Sequence, residues 1–276
     1  MSNVKRESIQ LVLCDMDGTL LLPDHSISAA NVRAVKQLQD AGVHFTLASG
    51  RPPRAMREQI AQLGIKLPTA AFNGGVLVDA QGHYLLSHHV PIAAVRHTLA
   101  LLSDYPVDVW VFADDQWYLK NTEGPMVAHE QSALGYAPVV VESFEPHLHR
   151  VDKIVGASRD AELLIELEQQ LHGLLEGEAL ASRSQAFYLD VTALKANKGD
   201  ALVALADLMA VSLRHTMAIG DGGNDPAMFA KAGLSVAMGQ ADESIRKQAD
   251  EVTGSNVEDG VAQAICLLYT SPSPRD

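Results

Sequence analysis

The first apolar block of the chain, Ile9 to Cys14, runs without interruption and stops at Asp15. A short continuous run rich in Leu and Val predicts a strand buried on both faces, as in a parallel sheet. The period then changes. Val32, Val35 and Leu38 fall on one helical face, Ser28 stands at the N-cap position, and Gly42 ends the pattern. Val43 to Ala48 predicts a second strand and Ser49-Gly50-Arg51 a turn. A helix follows from Pro53 to Leu63, with proline in its first turn. Thr69 to Phe72 predicts a third strand, followed by the turn Asn73-Gly74-Gly75. Strand alternating with helix implies a parallel sheet with right-handed crossovers.

From Tyr84 to Phe187 the rhythm is different. A helix is predicted over Ile92 to Leu102, then strands over Val107 to Phe112 and Trp117 to Lys120 around the tight turn Asp114-Asp115. Further helices are expected over Pro125 to Leu134 and Ala161 to Leu174. Strands are expected over Val139 to Val141 and Lys153 to Gly156, and around Ala179 and Phe187. Paired strands suggest an antiparallel α+β module, and Trp110, Phe112, Trp117 and Tyr118 read as its sheet packing. The first rhythm returns after Lys195. Asn197 caps a helix over Lys198 to Leu208, strands follow over Thr216 to Ile219, Leu234 to Ala237 and Glu251 to Thr253, and a helix over Val257 to Leu267 closes the pattern. The fold class expected is α/β, a Rossmann-like parallel-sheet core of residues 1–83 and 188–268 interrupted by an α+β domain of residues 84–187. The tail 269–276 (YTSPSPRD) breaks the pattern and reads as disordered or as a cloning remnant.

Composition narrows the class. With 47% hydrophobic and 20% charged residues, the 276-residue chain is an ordinary globular one. Its net charge of −13 argues against a nucleic-acid partner, which needs Lys and Arg to replace counterions. No run reaches the roughly 18 apolar residues of a membrane span, and Met1 to Ser8 is too polar for a signal peptide. The expected compartment is the cytoplasm, and nothing demands more than a monomer. Two cysteines, Cys14 and Cys266, make no disulfide framework. Histidines lack zinc-site spacing, and His88, His89, His147 and His149 read as exposed loop residues.

Four segments lie where core strands end or helices begin, the edge at which an open parallel sheet binds ligands. They are Asp15-Met16-Asp17-Gly18-Thr19, Ser49-Gly50-Arg51, Asn197-Lys198-Gly199 and Gly220 to Asp225. Two carboxylates two residues apart at a strand end, Asp15 and Asp17, share a direction. A carboxylate that attacks an anionic phosphate ester must overcome like-charge repulsion, and Mg²⁺ with hard oxygen ligands solves that problem. Asp15 is then the candidate nucleophile and Asp17 the acid and base. Ser49 and the Gly50 N–H offer neutral donors to phosphate, Lys198 a point charge at a helix start, and Asn224 a further hydrogen bond. Asp221 is a hard ligand for the metal. Asp225 either holds a metal-bound water or holds Lys198. Arg51 reaches either the substrate or a carboxylate.

Asp15-x-Asp17-Gly-Thr19, Ser49, Lys198 and Gly220-Asp221-x-x-Asn224-Asp225 resemble, in order, the four motifs of the haloacid-dehalogenase (HAD) superfamily. The insert resembles that family's C2-type cap. Asn73-Gly74-Gly75, Val236 to Gly239 and Ala249 to Gly260 are similar to its Cof-type members. The resemblance spans nearly the whole chain except the tail, and only the Gly222-Gly223 pair departs from the bulkier or acidic residues frequent in relatives. It implies a Mg²⁺-dependent phosphatase. Asp15, the backbone carbonyl of Asp17, and Asp221 would ligate the metal. The Met16 backbone, Ser49, Gly50, Lys198 and Asn224 would hold phosphate. The implied partner is a small phosphorylated metabolite such as a sugar phosphate, pyridoxal phosphate or flavin mononucleotide, selected mainly by cap side chains. A phosphotransferase or mutase using the same intermediate is the alternative, with a receiver-like phosphoacceptor behind it; Asp17 and the long insert argue against the receiver.

Overall fold

The structure is a computed structural model and describes residues 9–268. The expectations for Met1 to Ser8 and for the tail 269–276 fall outside the described residues. In chain order the first strands and helices are β1 (Leu11–Cys14), α1 (Ala29–Asp40), β2 (His44–Leu47), α2 (Arg57–Gln62), β3 (Thr69–Ala71), β4 (Val76–Val78) and β5 (Tyr84–Ser87). Then come α3 (Ile92–Ser103), β6 (Asp108–Ala113), β7 (Gln116–Leu119), α4 (Val127–Leu134), β8 (Val139–Val140), β9 (Val151–Ala157), α5 (Ala161–Leu174), β10 (Ala179–Gln185) and β11 (Tyr188–Ala193). The last are α6 (Lys198–Leu208), β12 (Thr216–Gly220), α7 (Pro226–Phe229), β13 (Leu234–Ala237), α8 (Glu243–Arg246), β14 (Glu251–Val252) and α9 (Gly260–Cys266).

The chain divides into two compact units. The first holds residues 9–50, 56–85 and 197–268, the second residues 51–55 and 86–196. In the first, a five-stranded sheet has the order β14-β13-β12-β1-β2 with every pairing parallel. All four residues of β1 are buried, as its unbroken apolar run requires of a central strand. Leu11 and Leu13 pack with Leu202, Leu205 and Met228 of the helices that follow. The Ser28 hydroxyl caps α1 by accepting from the Asn31 N–H at 3.1 Å, and the Asn197 side chain caps α6 by accepting from the Asp200 N–H at 2.8 Å.

Two expectations are corrected. The third predicted strand, β3, touches the parallel sheet only through the bridge of Ala48 to Ala70 and pairs antiparallel with β4. Phe72, Asn73 and Gly74 all take positive φ (49°, 57° and 98°), which folds the chain straight back on itself. A three-residue strand such as β4 gives too little alternation to read from sequence. The second correction concerns the return to the core, expected at residue 188. Tyr188–Ala193 instead lies between β9 and β10, hydrogen-bonded on both sides, and the chain returns at Asn197.

The second unit is a six-stranded sheet of order β10-β11-β9-β6-β7-β8, antiparallel except for β7 with β8. Val111, Ile154, Leu189 and Val191 share one face and form an apolar core with Leu102 of α3 and Leu164, Leu167 and Leu171 of α5. The register puts Asp108, Trp110, Phe112, Trp117, Lys153 and Asp190 on the opposite face.

Candidate functional site

The site belongs to the first unit, at the C-terminal ends of β1, β2 and β12. Asp15 follows β1 directly and donates its N–H to the Ile219 carbonyl at 2.9 Å, so the sheet register fixes its position. The chain then makes one wide turn closed by the Leu21 N–H on the Met16 carbonyl at 2.9 Å. Gly18 sits inside that turn at φ 77°, and a Cβ there would run into the Asp221 carboxylate. The same turn brings the Thr19 hydroxyl to donate to Asp221 Oδ1 at 2.7 Å.

Lys198, the first residue of α6, is fully buried. Its Nζ lies 2.6 Å from Asp15 Oδ1 and donates to Asp225 Oδ1 at 2.7 Å. Asp225 Oδ2 accepts the N–H groups of Asp221 and Gly222, each at 2.8 Å. Gly220 permits this fold-back, because any Cβ at that position would overlap the Asp225 side chain. Of the two roles open to Asp225, holding Lys198 is the one its geometry displays. It makes no side-chain cap for the short helix that follows.

Carboxylate oxygens of Asp15, Asp221 and Asp225 lie within 4.8 Å of one another. Three carboxylates face one ammonium, so negative charge is left uncompensated. Burial pushes the Asp15 carboxyl well above its ordinary pKa, against the pull of Lys198, and Asp225 and Asp221 push it further. Burial also raises Asp221, opposed by the Thr19 hydrogen bond. Burial alone would lower Lys198, but Asp15 and Asp225 more than offset it and hold the amine protonated. A divalent cation would favour the ionised carboxylates, and hard oxygen donors crowded at this spacing suit Mg²⁺. Beneath them the Cys14 thiol is pushed up by burial and by Asp15, which leaves it an inert packing group.

The other expected residues divide. Ser49 is buried at the end of β2; its N–H donates to the Ala70 carbonyl at 2.9 Å and its carbonyl accepts from the Asn73 N–H at 2.8 Å. Asn224 donates from Nδ2 to Asn73 Oδ1 at 2.9 Å, and Gly50 packs beside the Asn73 amide. Asn73, read from sequence as a turn residue, thus ties the loop after β12 to the segment after β2. Asp17 lies apart from the three converging carboxylates, half-exposed, with Oδ1 3.8 Å from His25 Nδ1. Arg51, expected to reach either the substrate or a carboxylate, groups with the second unit, where its Nη1 donates to the Ala133 carbonyl at 3.2 Å. Gln240 was not anticipated. It donates to the Gly18 carbonyl at 2.6 Å and adds β13 to the strands whose ends build the site. Its position just past a core strand was the available signal.

The family described as haloacid dehalogenase-like hydrolase matches residues 12–265. The chain belongs to that family. An HMP-PP phosphatase of Yersinia pseudotuberculosis serotype O:1b (strain IP 31758) is 31% identical over 266 residues, spanning 95% of this chain and 96% of its own. The structure of a haloacid dehalogenase-like hydrolase from Bacteroides thetaiotaomicron superposes with a TM-score of 0.87 at 28% identity, over 94% of this chain and 99% of that one. A sugar phosphatase of HAD subclass IIB superposes with a TM-score of 0.82 at 24% identity, over 94% and 99% of the two chains, and likeness at that level concerns the fold. This HAD chain, of Cof type, is an enzyme of the phosphoric monoester hydrolase class. Among its described residues no helix is long and apolar enough to cross a membrane.

Proposed function

We propose that this HAD enzyme hydrolyses small phosphorylated metabolites, acting as a cytoplasmic monomer, with Asp15 as nucleophile and Mg²⁺ as cofactor. The double contact of Lys198 with Asp15 and Asp225 supports this reading best. It anchors a positive charge beside the oxygen that would attack phosphorus, and a buried, hydrogen-bonded ammonium needs no reorganisation when phosphoryl charge develops.

In the first step an Asp15 oxygen bonds to phosphorus while the ester P–O bond breaks, and Asp17 gives its proton to the leaving alkoxide. In the second, Asp17 takes a proton from water as the water oxygen displaces Asp15 from phosphorus, releasing inorganic phosphate and the free carboxylate. Half-exposure suits Asp17 to that exchange with solvent. Asp15, the Asp17 carbonyl and Asp221 would hold the Mg²⁺, which offsets charge on the phosphoryl oxygens when bound. The Met16 backbone, Ser49, Gly50, Lys198 and Asn224 would hold those oxygens, with Asp225 steadying Lys198. Sugar phosphates, pyridoxal phosphate and flavin mononucleotide are the substrate classes favoured, and the Yersinia relative adds HMP-PP as a candidate.

Steady-state hydrolysis of p-nitrophenyl phosphate tests this. Turnover requires Mg²⁺, disappears in EDTA and returns when Mg²⁺ is added back. Asp15→Asn lowers kcat by at least about 10³-fold with an unchanged circular-dichroism spectrum. Near-normal turnover by that variant, or full activity in metal-free buffer, contradicts the proposal.

A further inference from the structure

Asn73 belongs to none of the four segments at the sheet edge, yet its turn touches three of them. Its backbone N–H donates to the Ser49 carbonyl at 2.8 Å. Its Oδ1 accepts from Asn224 Nδ2 at 2.9 Å. The next residue, Gly74, packs so closely that a Cβ there would stand 2.6 Å from the Ala201 Cβ and 2.9 Å from the Asn197 carbonyl oxygen. The turn is thus wedged against α6, the helix that begins with Lys198.

Two of these contacts each orient a donor. The Ser49–Gly50 peptide is planar and trans, so holding its carbonyl on the Asn73 N–H directs the Gly50 N–H to the opposite side. Asn224 is exposed, and the terminal torsion of an Asn side chain is broad and roughly two-fold. An untethered amide therefore presents its oxygen as readily as its nitrogen, and an oxygen turned toward phosphate repels it. With Asn73 Oδ1 on one N–H of the Asn224 amide, the oxygen and nitrogen ends are fixed. The second N–H of the same nitrogen stays available to donate.

The conformation of Asn73 serves both contacts at once. Its φ of 57° and ψ of 24° are left-handed, a region that Asn enters more readily than most residues with a side chain. From that backbone the N–H meets Ser49 while the side chain meets Asn224.

We infer that Asn73 is a positioning residue for phosphoryl recognition, setting the Asn224 amide from a turn that also orients the Gly50 N–H. It acts through those donors and not by contact with phosphorus. The inference rests on the proposed assignment of Gly50 and Asn224 to phosphate.

Asn73→Gly is the informative substitution. Glycine accepts left-handed backbone and keeps the N–H on Ser49, so only the side-chain acceptor is deleted, and an unchanged circular-dichroism spectrum checks that the fold is kept. Hydrolysis of p-nitrophenyl phosphate with Mg²⁺ is followed for the parent, Asn73→Gly, Asn224→Ala and the double variant, with inorganic phosphate as competitor. Asn224→Ala lowers kcat/KM about tenfold and Asn73→Gly about fivefold, the scale of one hydrogen bond to a charged group. Each raises the Ki of phosphate by a similar factor. In the Asn224→Ala background, Asn73→Gly changes kcat/KM by less than about twofold, because the amide that it orients is gone. A residue that merely supports the fold would lower kcat/KM equally in both backgrounds, and that result overturns the inference. So does an unimpaired Asn73→Gly beside an impaired Asn224→Ala. An unimpaired Asn224→Ala overturns it by removing the phosphate assignment beneath it, whereas failure of the hydrolytic mechanism itself is read separately, from near-normal turnover by Asp15→Asn.

Discussion

Buried polar groups are treated in opposite ways around Asp15 and on one face of the second unit's sheet. In the first, Lys198, Asp15, Asp225, Asp221 and Thr19 satisfy one another and the surrounding backbone in a closed set of short contacts. In the second, one face of the sheet is mainly apolar under α3 and α5, while the other leaves Asp108 Oδ2, Trp110 Nε1, Trp117 Nε1 and Asp190 Oδ1 buried without partners among the described residues. A network that must hold a fixed geometry for chemistry needs its members locked. The reaction centre is thus the place where buried polar groups are most completely engaged.

The sharpest way to break that contrast is to open the closed network. Lys198→Ala leaves two buried carboxylates facing each other and Asp221. The expected loss in kcat/KM is about 10²- to 10³-fold, because a preorganised cation is removed from the phosphoryl oxygens. The expected loss in stability is roughly 3–5 kcal/mol near neutral pH, since one partner of a buried pair is deleted. Burial already raises Asp15 and Asp221, and their carboxyls protonate more readily still without the lysine. The penalty is therefore smaller at pH 5 than at pH 8. Urea unfolding at both pH values, beside steady-state kinetics, measures this. An unchanged kcat/KM reduces Lys198 to a structural residue.

The second test sets the two faces of the second sheet against each other. Leu189 is fully buried on the apolar face, and Leu189→Ala is expected to cost about 2–5 kcal/mol. Asp108 lies on the other face with a buried oxygen that has no hydrogen-bond partner among the described residues, so Asp108→Asn deletes no hydrogen bond of that oxygen and is expected to cost less than about 1 kcal/mol. Its raised carboxyl pKa gives the sign: ionisation works against folding, so any gain from Asn grows as pH rises from the unfolded to the folded pKa, is complete above the latter and vanishes in acid. Comparable losses from both substitutions would show that the two faces do not differ as described.

How much of this was legible in the chain depends on how far apart the cooperating residues are in register. Asp15 could be placed because an unbroken apolar run ends on it, and Lys198 because Asn197 is an unambiguous cap. The glycines around Asp221 and the pair Asp15-x-Asp17 are local patterns that need no knowledge of pairing. The role of Asn73 was not legible, because its partner Asn224 is 151 residues away and meets it only through the left-handed turn after β3. That Tyr188–Ala193 belongs to the second unit is hidden for a related reason. Its sequence YLDVTA fits either sheet, and only ladders to strands on both sides decide. The unpartnered face was equally hidden, since alternation shows that residues share a side but not what lies over them.

The smallest expected effect concerns a histidine read from sequence as an exposed loop residue. His89 is only partly exposed, and its Nδ1 lies 3.0 Å from Oδ1 of Asp152, whose side chain is fully buried. The hydrogen bond to Asp152 raises the His89 pKa, burial opposes it, and Asp114 adds to the rise while Arg150 subtracts. Burial raises Asp152 in turn, with His89 pulling it down. The histidine direction governs near neutrality, because a carboxyl paired with imidazolium gives up its proton at lower pH than the histidine does. A folded pKa above the unfolded value of about 6.5 means the contribution is complete below that value and is lost as pH rises through the folded pKa. His89→Gln should therefore lower stability by roughly 1 kcal/mol at pH 5.5, the scale of a partly solvated ion pair, and by much less at pH 8.5. Urea unfolding of parent and variant across that interval reads the difference directly. A gap that stays constant with pH would mean that His89 serves only as a neutral hydrogen-bonding group, and a gap that widens toward pH 8.5 would reverse the assigned direction.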